Sequence, residues 1–77
     1  MSIKVRFFAS IRDLTGRAGD EIEARPGLVA RDVWRLSTDG LEPPPTLLVS
    51  VNLEFADLDA PVGEGDEVAF MPPVTGG

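Results

Sequence analysis

Neither cysteine nor histidine occurs in this chain, and tyrosine is missing as well. Disulfides and thiol nucleophiles are therefore excluded, as are imidazole bases and Cys/His zinc sites. Lysine occurs once, as Lys4. A side-chain enzyme would have to be assembled from Asp, Glu, Arg, Ser and Thr alone, a poor supply of nucleophiles and bases. Positive charge is scarce: 7 Lys and Arg stand against 13 Asp and Glu, a net charge of −6. That balance argues against nucleic acid and anionic membrane surfaces as partners. It suits docking onto a more basic protein. No apolar run approaches the ~20 residues a membrane span needs. The opening Met1-Ser2-Ile3-Lys4-Val5-Arg6 carries charges inside its apolar stretch and lacks the hydrophobic region of a signal peptide, so a cytoplasmic location is expected.

What is present suffices for one small domain. The 77 residues are 43% hydrophobic and 26% charged, an ordinary globular composition. Ile3, Val5 and Phe7 alternate with polar residues and predict a first strand over 3–8 with those three inward. Residues 9–15 read as a short helix with Ile11 and Leu14 on one side and Gly16 as its stop. A second strand over 20–24 pairs with the first as a hairpin, and Arg25-Pro26-Gly27 ends it. The main helix falls at 29–38, with Ala30, Val33, Trp34 and Ser37 along one stripe and Leu36 beside it. Its start is poorly marked, because Val29 occupies the capping position, and Asp39-Gly40 supplies the stop. Three prolines at 43–45 stiffen the loop that follows.

Residues 47–52 predict a central strand with Leu47, Val49 and Val51 inward. Asn52-Leu53 makes a turn, Glu54-Phe55 a short return strand, and 67–71 the last strand with Val68 and Phe70 inward. Strand, strand, helix, strand, strand with one long helix is an α+β order. It points to a ubiquitin-like β-grasp, a mixed sheet packed on one main helix, with a domain over 1–71 and an extended C-terminal tail over 72–77. Pro72 and Pro73 fix φ and remove amide donors, so the tail leaves the last strand in a polyproline-like course. Six residues at ~3.3 Å each would reach about 20 Å, enough to enter a partner's active site. Gly76 and Gly77 make that end as slim as a polypeptide permits.

Three segments carry a resemblance to a known family. They are the run from Ile3 to Gly16, the pair Val51-Asn52, and Gly65-Asp66-Glu67-Val68-Ala69-Phe70-Met71-Pro72-Pro73-Val74-Thr75-Gly76-Gly77. Together they resemble the MoaD/ThiS family of ubiquitin-like sulfur carriers. The chain departs from that pattern at Val29, where a capping Thr or Ser is usual, at Leu53, where Gly or Gln follows the Asn, and at Val62, where Leu is usual.

The resemblance implies that the C-terminal carboxylate of Gly77 is adenylated by an E1-like enzyme and converted to a thiocarboxylate. ATP and a sulfur donor are used by that enzyme, and no cofactor is bound by the carrier itself. It implies a sulfur-donating, noncatalytic subunit of molybdopterin synthase, partnered by the large subunit in a heterotetramer of two small and two large chains. The dithiolene of molybdenum cofactor biosynthesis would be the destination of the sulfur. Pro-Pro-Val-Thr ahead of the glycines favours that pathway over thiamin, cysteine or tRNA thiolation. A ubiquitin-like protein modifier, or an interaction domain with a silent tail, are the alternatives.

Strand parity places Phe8 with Lys4 and Arg6, away from the core, and Met71 opposite Val68 and Phe70. With the first and last strands as neighbours, Phe8 and Met71 form an apolar patch at the root of the tail, and Phe55 joins it. The resemblance sets these positions against the large subunit, with Pro72, Pro73, Val74 and Thr75 as tail contacts and Gly76 giving access to narrow channels. Trp34 reads as a half-buried core residue, and Asp57, Asp59 and Glu54 as a solvated turn rather than a metal site.

Overall fold

The computed structural model describes residues 1–73. Its elements are β1 (Ser2–Phe7), α1 (Ala9–Thr15), β2 (Gly19–Glu23), α2 (Ala30–Ser37), β3 (Leu48–Val51), β4 (Glu54–Ala56) and β5 (Glu67–Met71). The strands form one sheet in the order β2-β1-β5-β3-β4. β1 and β5 run parallel, with Val5 opposite Val68 and Phe7 opposite Phe70; every other neighbouring pair is antiparallel. This is the α+β β-grasp expected from the element order. β5 is the central strand, however, and β3 lies one place nearer the edge.

Alternation in β1 buries Ile3, Val5 and Phe7 on one face of the sheet, where the stripe of α2 meets them: Ala30, Val33, Trp34 and Ser37 are all buried. Val49, Val68 and Phe70 complete that layer, and Leu47 and Val51 pack at its margin. Trp34 stands edge-on to Phe70, ring centroids 5.0 Å apart, and to Phe7 at 6.0 Å. It is buried outright (1% exposed), not half-buried, because its indole N–H donates to the Leu41 carbonyl at 2.7 Å. The proline loop thus folds back to satisfy the one polar atom that would have held the ring at the surface. Ser37, the polar member of the stripe, donates to the Val33 carbonyl at 2.7 Å. Leu14 and Leu36 remain exposed; Ile11 alone anchors α1.

The weakly marked start of α2 has a tertiary explanation. Its first amides donate to a distant loop, Ala30 N–H to the Ala60 carbonyl at 2.9 Å and Arg31 N–H to the Leu58 carbonyl at 2.8 Å. The Asp32 carboxylate accepts from Val29 N–H at 3.0 Å. Amides that normally need a Ser or Thr cap are already engaged, so Val29 is tolerated.

Candidate functional site

The far face of the sheet, away from α2, is built to be hollow. Across one register row stand Arg6, Ala69, Ser50 and Phe55, contributed in turn by β1, β5, β3 and β4. The two inner positions are small and buried, which sinks the floor between larger side chains on either side. Phe8, Leu53, Phe55 and Met71 wall the resulting cavity of about 190 Å³, and the Arg6–Glu67 ion pair at 2.7 Å closes one side. Phe55 is 72% exposed and Phe8 47%. Large apolar groups are thus gathered on one face of a small acidic domain, an arrangement common at protein contact surfaces.

Phe8 reaches this face by strand parity carried one extended residue past the end of β1. β1 ends at Phe7, and Phe8 is the extended residue that precedes α1. Ala9 then adopts φ 52°, which turns the chain into the helix while leaving the Phe8 ring outward. Phe8 N–H donates to the Phe70 carbonyl at 3.0 Å, tying it to the strand from which the tail departs. Met71, expected to be exposed, is half-buried among these neighbours, as is Pro72; Pro73 is exposed. The structure therefore brings together Phe8, Phe55 and Met71. Val74, Thr75, Gly76 and Gly77 lie outside the described residues.

Leu53 is the member that sequence reasoning missed, since it was read only as part of a turn. Its signal was available: a two-residue hairpin turn between two strands exposes both central side chains, and one of these is a leucine.

The end of the cavity is fixed by a polar latch. Asn52 N–H donates to the Glu67 carbonyl at 2.8 Å, while its side chain donates to Asp66 at 2.9 Å and accepts from Glu67 N–H at 3.0 Å. The Asp66 carboxylate also accepts from Gly63 N–H at 2.8 Å. These donors, Asn52 first and Gly63 second, hold the Asp66 carboxyl below the usual carboxylate range. A native value below the unfolded one means that this stabilisation is present above about pH 4 and is lost as pH falls through the native value. Asp66→Asn has one acceptor oxygen for two donors, so it is expected to destabilise the domain at neutral pH, by up to about 1 kcal/mol because solvent screens the site. Thermal melting across pH should show the gap between the two proteins closing in acid; a gap that persists unchanged would remove the latch from the account.

A larger depression of about 650 Å³ lies beside α2, lined by Arg31, Trp34, Arg35 and the prolines at 43–45. Its indole N–H is already committed to Leu41, and Arg31 pairs with Asp59 at 3.2 Å. Size alone does not make it the functional site.

Residues 5–77 match the ThiS family. The chain belongs to the ThiS family. That match takes in Phe8, Phe55, Met71 and the whole run from Pro72 to Gly77, so each residue singled out above falls within the ThiS segment. A molybdopterin synthase sulfur carrier subunit from Escherichia coli (strain K12) is 40% identical over 84 residues, covering 97% of this chain and 99% of that protein. The ThiS chain also superposes on the crystal structure of SAMP1 from Haloferax volcanii with a TM-score of 0.77, at 24% identity and over 100% of both chains. A chain of the protein–protein complex of subunit 1 and 2 of molybdopterin-converting factor from Helicobacter pylori 26695 gives a TM-score of 0.69 at 23% identity, again over 100% of both chains. These two likenesses establish the shared fold.

Proposed function

We propose that this ThiS-family chain is the sulfur-carrier subunit of a molybdopterin synthase. The observation that carries the reading is the 40% identity, over nearly the full length of both proteins, to a sulfur carrier subunit of that enzyme. The family match running through to residue 77 supports placing the chemistry at the tail.

The mechanism follows from the poverty of the side chains. A carboxylate is a poor electrophile, so its carbonyl must first be activated. An oxygen of the Gly77 carboxylate attacks the α-phosphorus of ATP on an E1-like enzyme, pyrophosphate leaves, and an acyl adenylate results. Sulfide-level sulfur, HS⁻ released by the donor on that enzyme, then adds to the carbonyl; AMP leaves, the S–H proton is lost to solvent, and a terminal C(=O)–S⁻ remains. This group is a sulfur nucleophile that requires no cysteine, in a chain that has none. Delivered into the large subunit, it supplies sulfur for the dithiolene. The carrier binds no cofactor and does no catalysis alone; its part is to present the sulfur and dock.

Docking falls to the hollow face at the root of the tail, with Phe8, Phe55 and Met71 against the large subunit. Pro72 and Pro73 aim the following residues, and Gly76 lets the backbone pass where a Cβ would collide with channel walls. The net charge of −6 favours approach to a basic surface. Two small and two large chains make up the proposed assembly, which works in the cytoplasm; no described helix is long and apolar enough to cross a membrane.

The reading is tested by incubating the chain with the activating enzyme, ATP and a sulfur donor, then measuring intact mass. The expected product is heavier by the difference between one sulfur and one oxygen atom. Unchanged mass under conditions that load a known carrier contradicts the assignment.

A further inference from the structure

Leu53 is 88% exposed, more than any other large apolar residue in the described chain, and it sits in a backbone conformation that disfavours it. Asn52 has φ 52° and Leu53 has φ 70°, the pair of positive values that a tight two-residue hairpin turn of type I′ demands. Asparagine tolerates that region, but a branched aliphatic side chain does not, and glycine is the usual occupant of the second position. With its side chain in solvent, Leu53 gains almost no packing inside the domain to offset the strain. Nor does the turn depend on it, because the latch to β5 runs entirely through Asn52. The side chain nevertheless lines the same cavity as Phe8, Phe55 and Met71. Phe8 is itself followed by another of the four non-glycine residues at positive φ in the described chain, Ala9 at 52°. Backbone strain beside two of the most exposed apolar side chains of one face is the pattern of a surface shaped for something outside the monomer.

We propose that Leu53 is a docking anchor that extends the contact with the large subunit from the tail root onto the β3–β4 turn. Its counterpart is an apolar socket sized for a branched aliphatic group. Basic groups border that socket, facing the exposed Glu54 and the acidic net charge of the chain. The proposal rests on the sulfur-carrier reading for the identity of the partner.

The test uses Leu53→Asn and Leu53→Gly in the full chain, with melting temperature and affinity for the purified large subunit as paired readouts. Asn relieves the strain without adding the backbone freedom of glycine, so it decides the stability arm. The expected result is a melting temperature for Leu53→Asn equal to or above that of the parent, together with affinity lowered by about fivefold to a hundredfold in both variants. A lower melting temperature for Leu53→Asn would place the side chain in the monomer's own packing and overturn the proposal. Parent-like affinity in the variants would overturn it too, while leaving the sulfur-carrier reading intact. Failure of the parent chain itself to bind the large subunit would defeat both.

Discussion

A chain lacking Gly77 is expected to fold and melt like the full-length protein yet to transfer no sulfur at all. Among the described residues the buried core runs from Ile3 to Phe70, and the last strand ends at Met71, six positions before Gly77 in the sequence. The proposed reaction, by contrast, depends on a glycine carboxylate at one fixed distance from the docking face. Removing one residue shortens the reach by about 3.3 Å and replaces the reacting carbonyl with that of Gly76. A misplacement of that size at a reacting centre is already ruinous for rate. Adding one residue after Gly77 should have the same effect for the opposite geometric reason. Thermal melting and a reconstituted sulfur-transfer assay separate the two properties. Undiminished transfer by the shortened chain would remove the carboxylate from the mechanism.

Two neighbouring phenylalanines should respond in opposite ways. Phe7 is 2% exposed and stacks on Phe70 at 5.9 Å, in the aromatic cluster that joins β1 and β5 to α2. Phe7→Ala leaves a cavity there, at an expected loss of ~3–5 kcal/mol. Small domains have only about 5–15 kcal/mol in total, so much of the population should unfold. Phe8 faces outward, and Phe8→Ala should melt close to the parent while binding the large subunit about 1–3 kcal/mol more weakly. Melting and calorimetric titration on the pair test this. Strong destabilisation by Phe8→Ala would mean that its ring belongs to the core.

The parts of this fold legible in the sequence were those governed by local periodicity. Alternation in Ile3, Val5 and Phe7, and the stripe of Ala30, Val33, Trp34 and Ser37, identify the buried faces because side-chain direction follows from backbone geometry. Gly16, and Asp39 with Gly40, mark helix ends through the left-handed conformations they adopt there. What stayed hidden depends on partners remote in sequence. The amides at the start of α2 are satisfied by carbonyls nearly thirty residues away, so no local capping signal was needed. Trp34 is buried because Leu41 accepts its N–H, a contact that only the course of the proline loop creates. β5 rather than β3 holds the centre of the sheet, and hydrophobicity cannot rank two strands that are both covered by the helix. At the proposed docking face, parity anticipated Phe8 and Met71, and the family resemblance added Phe55. The sunken floor of Ser50 and Ala69 stayed hidden, because a shallow cavity arises from four strands in register and not from any one of them.

The most direct test of the central claim follows a loaded chain through one round of delivery. Protein carrying the terminal thiocarboxylate is mixed with the large subunit and the pterin precursor, and its intact mass is measured before and after. A sulfur carrier is predicted to return to its unmodified mass, losing one sulfur and regaining one oxygen, as the precursor gains sulfur. A chain that instead kept its sulfur, or became joined through Gly77 to a lysine of another protein, would contradict the account.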